Sequence, residues 1–264
     1  MSFARKVWHL IVAVKDGLSL VFLLLFFFAL YALLTARPSP ASVREGALLL
    51  SLDGVVVEEK SPLDPFAVLF SGQAPTGEYD VQELVHAIDE AAEDDRIKAV
   101  VLEFGAVFGG GQVHLEDIGA ALERVRAAKK PVLSYATVYT DDSVMLASHA
   151  SEIWVDPLGG ALVLGPGGNR MYYGDLLKKL DVNARVYKVG TYKSAVEPYI
   201  LNEMSPEARE NYTQLYGSMW AEWQAHVKKA RPQVNLAAFA QTPAEWFARA
   251  GGVAATAAKN AGLV

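Results

Sequence analysis

The chain has 264 residues, 52% of them hydrophobic and 20% charged, with a net charge of −6 and no long run of one sign. That balance argues against a nucleic-acid partner, which needs clustered basic residues. Cysteine is absent, which excludes disulfides and thiolate metal sites and is compatible with an extracytoplasmic location.

The first predicted element is a membrane-spanning helix. Gly17 to Ala36 is a stretch of twenty uncharged residues dominated by Leu20 to Leu34, the length that crosses about 30 Å of hydrocarbon. Arg5, Lys6 and Lys15 precede it and Arg37 alone follows closely, so the excess of positive charge predicts a cytoplasmic segment over 1–16 and a domain on the far side. A cleaved signal peptide is the competing reading. Its apolar core would be about 7–15 residues long and would end in a small-x-small site, which Leu34-Thr35-Ala36 matches poorly. Residues 37–45, with Pro38 and Pro40, read as a stiff linker. Roughly 220 residues remain, enough for one large domain over 46–264.

Short apolar strands then alternate with amphipathic helices, which predicts an α/β domain. Ala47 to Leu52 and Val55 to Val57 flank Asp53-Gly54, a dipeptide of the hairpin-turn type. Pro62 to Glu78 reads as a loop. Asp80 is placed to cap a helix whose apolar positions Val81, Leu84, Val85 and Ile88 share one face. Ile97 to Phe104 reads as a buried strand. Helical spacing returns at Leu115, Ile118, Leu122 and Val125, and strands follow at Pro131 to Ala136 and Ile153 to Val155. Ser205-Pro206-Glu207 opens a long helix to about Lys229, with serine as cap and proline at the first position.

Chemistry is advertised at Gly190-Thr191-Tyr192-Lys193-Ser194-Ala195-Val196-Glu197-Pro198, just after the strand-like Arg185 to Val189. An ammonium at the end of a buried strand is partly desolvated, which disfavours its charged form. A neutral lysine amine can take the proton of a serine hydroxyl, the Ser-Lys variant of nucleophilic catalysis. The bland alternative is a solvated lysine after a strand.

The run from Val186 to Tyr199, with Met204-Ser205-Pro206 after it, resembles the lysine-bearing motif of the signal peptide peptidase A family in its long form (protease IV). The likeness takes in the apolar anchor, Leu48 to Gly54, Ala99 to Phe104, Ile153-Trp154-Val155-Asp156-Pro157 and Ala261-Gly262-Leu263-Val264. It implies an α/β fold of the crotonase/Clp-protease type, a spiral of ββα units, and a membrane-anchored serine peptidase acting on cleaved signal peptides. Residue by residue it makes Lys193 the general base. Short-form relatives place the serine ahead of a Gly-Tyr-Tyr-like run leading into Ala-Ser; counting back from Ala147-Ser148 here, that position is Asp141. In the long form the serine lies in a second, homologous half, so the chain reads as the amino-terminal half of a tandem protein that carries the base without the nucleophile. The implied partners are hydrophobic peptides, the membrane, further copies in a homo-oligomer and the serine-bearing half. The implied location is the inner membrane, single-pass, with the domain facing the periplasm, and no cofactor is implied.

Around that base, Tyr192 and Ser194 are expected to shape the surroundings, and Glu197 to hold Lys193 or Arg170. Gly109, Gly110 and Gly111 lie between a strand and a helix and are candidates for an oxyanion or substrate loop, with a flexible turn as the alternative. No Gly-Lys-Ser/Thr ending makes them a phosphate loop. The loop Gly165-Pro166-Gly167-Gly168 is expected near the substrate groove. Ser143 reads as a helix-capping serine rather than a nucleophile. Asp141 and Asp142 read as solvated helix-end acids, and the histidines, including His114 and His149, as scattered residues without metal-ligand spacing. Two other functions compete: a non-catalytic scaffold or peptide-binding pseudoenzyme of the same fold, and an acyl-CoA enzyme of crotonase type, disfavoured because a periplasmic domain rarely meets coenzyme A.

Overall fold

The computed structural model describes residues 3–35, 45–62, 77–105 and 109–264, which fall into two units, Met1–Arg44 and Glu45–Val264. The first unit is a helix, α1 (Phe3–Thr35). Among the described residues it is the one helix long and apolar enough to cross a membrane. It begins ahead of the predicted Gly17, and no proline or glycine interrupts the residues from Phe3 to Asp16. All of the linker after it but Glu45 lies outside the described residues, as does most of the loop after Pro62.

The second unit is α/β. Its first part comprises β1 (Gly46–Leu52), β2 (Val55–Val57), β3 (Glu78–Asp80), α2 (Val81–Glu93), β4 (Ile97–Phe104), α3 (Gln112–Ala127), β5 (Val132–Tyr139), α4 (Asp141–Ala147) and β6 (Glu152–Ala161). The four long strands form an all-parallel sheet in the order β1-β4-β5-β6. Parallel neighbours need crossovers, and α2, α3 and α4 supply them. β2 pairs in parallel with β3, and Val55 bridges to Gly109. After β1 and again after β4 the chain enters the small sheet before its next helix, in keeping with the ββα repeat that the family resemblance implied.

Asp53-Gly54 does not make the expected hairpin, because β1 and β2 belong to different sheets. The chain changes sheet here, and Gly54 passes so close to Gly77 that a Cβ would stand 1.9 Å from its carbonyl oxygen. The core is built as the periodicities predict. Val81, Leu84 and Ile88 of α2 and Leu115, Ile118, Leu122 and Val125 of α3 are buried with Val100 and Leu102 of β4. Asp80 caps α2, its Oδ1 accepting from the N–H groups of Gln82 and Glu83 at 2.8 and 3.0 Å. Tyr139 ends β5 inside this core and donates its hydroxyl to the Trp154 carbonyl at 2.9 Å; burial pushes that phenol up to about 12.

After β6 come α5 (Gly174–Lys179), a 3-10 turn (Glu197–Tyr199), α6 (Pro206–Ala230), α7 (Leu236–Gln241), α8 (Pro243–Arg249) and α9 (Ala254–Asn260). Ser205 caps α6 as predicted, its Oγ accepting from the Ala208 N–H at 3.1 Å. Arg185 to Val189 is a correction: it joins no sheet, and Tyr187 and Val189 are each 91% exposed. An alternating sequence becomes a strand only where a neighbour takes its ladder hydrogen bonds, and among the described residues none lies along this segment.

Candidate active site

Two separate surfaces carry the predicted residues. The first is a cleft of about 660 Å³ whose lining includes Gly111 at the start of α3, Thr140 to Asp142 at the start of α4, the Gly165 to Gly167 loop, and Met219, Trp220 and Trp223 of α6. Two glycines make this approach possible. Gly111 takes a φ of 67° where the backbone turns into α3, a conformation costly for residues with a Cβ. Gly165 has a φ of 73°, and a Cβ there would meet the Trp220 ring at 3.2 Å. The Gly165 loop borders this cleft, and of the three candidate glycines Gly111 lines it. Gly110 is buried, and a Cβ on it would press on Val56 at 3.0 Å.

Asp141, the position at which the family resemblance implies the short-form serine, lines this cleft. Its Oδ1 accepts from the N–H groups of Leu164 at 3.2 Å and Gly165 at 3.1 Å, its Oδ2 also accepts from Leu164 at 3.2 Å, and its carbonyl accepts from the Trp223 indole at 3.2 Å. Asp142 beside it has no hydrogen-bond or ion-pair partner among the described residues. Burial, and then the neighbouring Asp141 charge, raise its carboxyl above the usual carboxylate range. Neither is the freely solvated acid that the sequence suggested, because the α6 tryptophans and the Gly165 loop wall them in. Ser143 is 1% exposed; its Oγ accepts from the Thr140 N–H at 2.7 Å and donates to the Thr140 carbonyl at 3.1 Å. That is the structural role expected of it.

The second surface holds Lys193 in a shallower cavity of about 480 Å³ with Arg170, Tyr192, Ser194 and Tyr212. The Lys193 side chain is exposed, and its amine has no partner among the described residues. Tyr192 donates to Glu210 at 3.1 Å, and the Arg170 guanidinium lies 4.7 Å from the centre of the Tyr212 ring. Glu197 turns away from both Lys193 and Arg170. It accepts from the Ser205 hydroxyl at 2.7 Å and the Ser205 N–H at 3.2 Å, and Lys188 approaches it at 3.9 Å. The candidate base and the Gly111 cleft thus line different cavities.

Sequence reading missed the tryptophans of α6. Their spacing, Trp220 and Trp223 with Met219, puts them on neighbouring positions of one helix face, and the two indoles stack at 4.9 Å; the pattern alone reads as ordinary core. It also missed that His149 and His226 meet, their Nε2 atoms 3.1 Å apart, with Glu123 at 3.0 Å from His149 Nδ1. Among the described residues no group of three side chains is arranged to hold a metal ion.

Residues 124–264 match the model of peptidase family S49. Protease 4 of Haemophilus influenzae is 33% identical over 85% of this chain and 38% of its own length, and Protease 4 of Salmonella typhi 32% identical over 89% and 39%. The chain spans about two fifths of the length of these curated relatives. Among solved structures, an enoyl-CoA hydratase/isomerase family protein from Silicibacter pomeroyi is similar at 17% identity over 57% of this chain and 79% of that one, with a TM-score of 0.26. At that score the likeness carries no argument.

Proposed function

This chain belongs to peptidase family S49, and from that premise we propose that it is the part of a membrane-anchored serine peptidase that supplies Lys193 as general base. The observation that carries the reading is the match itself, which spans the whole Lys193 motif. Asp141 stands where a nucleophile would be expected, its carboxylate engaged by backbone N–H groups, so the serine comes from a homologous half or from another copy. The serine hydroxyl gives its proton to the Lys193 amine as the oxygen attacks the peptide carbonyl. The lysine then returns that proton to the departing amine, and water, activated by the same base, releases the acyl group.

A general base of this kind acts as a neutral, water-shielded amine, and Lys193 is open to water on this surface. The reading therefore requires the serine-bearing part to cover the Lys193 cavity and desolvate the amine, which also brings base and nucleophile together. The α1 helix holds the domain at the inner membrane with its first residues in the cytoplasm, which keeps the local concentration of hydrophobic peptides such as cleaved signal peptides high. A second reading, a peptide-binding pseudoenzyme, is favoured by Asp141 at the nucleophile position.

The test is the complete gene product and its Lys193→Ala variant, assayed on a signal-peptide substrate. Loss of about 10³-fold or more in kcat, with folding and peptide affinity retained, is expected of a general base. A variant as active as its parent overturns the assignment, and an inactive parent turns the choice to the pseudoenzyme.

A further inference from the structure

We propose that the cleft over Asp141 and Asp142 binds a cationic group carried by an apolar peptide, as a recognition site separate from the Lys193 surface. This rests on the peptidase reading only in taking the ligand to be a peptide.

Charge complementarity names the cation. Asp142 is a half-buried carboxylate with no donor of its own, lining a cleft that holds no basic side chain, among the described residues. Its charge is held against desolvation and against Asp141, so a positive ligand group is the partner this pocket lacks. The walls decide what kind of cation it is. The stacked indoles of Trp220 and Trp223 and the thioethers of Met145 and Met219 offer apolar and π surface, which suits an ammonium or guanidinium on a carbon stem. A metal ion is a poor fit, because the Asp141 carboxylate is already held by Leu164 and Gly165 and cannot swing to join Asp142 as a second ligand.

Size and backbone argue for a peptide over a small amine. A cleft of about 660 Å³ is in the range of sites that enclose drug-sized ligands. Gly111, Gly165 and Gly167 line it, so main-chain atoms can be approached without side chains in the way. Engaging a cationic residue here would hold an apolar peptide on the domain independently of the chemistry at Lys193.

The test uses the full chain in detergent micelles and three peptides, each dye-labelled at its carboxyl end and read by fluorescence anisotropy. They are acetyl-Ala-Leu-Leu-Lys-Leu-Ala, the same acetylated peptide with norleucine for lysine, and the norleucine peptide with a free amino terminus. The expected result is at least about tenfold tighter binding of the lysine peptide than of the acetylated norleucine one, abolished in Asp142→Asn and kept in Lys193→Ala. Tighter binding of the free-amine peptide alone supports the site and assigns the amino terminus as its cation. Equal binding of all three, or a preference that survives in Asp142→Asn, overturns the inference while leaving the Lys193 test untouched. Conversely, loss of the Lys193 mechanism in the complete product leaves a lysine preference here standing.

Discussion

Asp142 keeps a carboxyl where burial and the Asp141 charge both disfavour its ionisation. Its folded-state value is raised above the unfolded one. Its stabilising contribution is therefore fully present in acid, below the unfolded value of about 3.9, and is lost as pH rises through the raised folded value. At neutral pH the ionised group is a net cost to the fold. Replacing it by the isosteric amide removes that cost, so Asp142→Asn is expected to raise Tm by about 1–4 °C at pH 7, with the gain shrinking toward pH 4 as the native carboxyl protonates. Thermal unfolding of the full chain at the two pH values measures this, and a lowered Tm at pH 7 contradicts it. A residue that weakens the fold while facing a cleft is the usual mark of a group kept for binding.

At the scale of elements, the start of α6 governs how the Lys193 segment is held. Ser205 caps the helix and at the same time binds both oxygens of Glu197, which is 1% exposed and begins the 3-10 turn just after Lys193. Ser205→Ala removes the cap and leaves one oxygen of a buried carboxylate without its hydroxyl donor, a loss of about 1–3 kcal/mol. Hydrogen exchange is expected to quicken across 190–208 in this variant, and unchanged protection there would show that the segment is held by other contacts. This junction was half legible. Ser205-Pro206 announces a helix start because the cap and the proline act locally, and most strands and helices up to β6, the short β3 excepted, follow from periods that local geometry imposes. Glu197 was expected to serve Lys193 or Arg170, but its partner is settled by the path of the chain between two elements, which no local pattern records. The same limit hid the cleft. Trp223 reaches the Asp141 carbonyl across 82 residues of sequence, and His226 reaches His149 across 77, while Arg185 to Val189 carried a strand pattern without the neighbour that makes one.

At the scale of the α/β unit, the meeting of α3, the end of α4 and α6 passes through a single buried imidazole. His149 is 2% exposed and sits between Glu123 and His226, with Arg126 donating to its carbonyl at 3.3 Å. Gly119 makes room for it, since a Cβ there would stand 2.5 Å from His149 Nε2. Burial lowers its pKa below the usual imidazole value; the Glu123 charge works against this, while His226 and Arg126 add to it. A lowered folded value means that the unfolded chain binds the proton first. The stabilisation is full above about pH 6.5 and is lost as pH falls through the folded value. Because the group joins three elements, acid should loosen α6 from the sheet domain, and with α6 go the tryptophans that wall the Asp142 cleft. The expected outcome is a Tm that falls by a few degrees from pH 7.5 to 5.5 in the parent chain and falls less in His149→Gln, which has no proton to take up. Gly119→Ala, which displaces the imidazole by steric contact alone, should lower Tm at both pH values. Equal pH slopes in the parent and His149→Gln would remove His149 as the origin of the acid sensitivity, whatever the steric variant does.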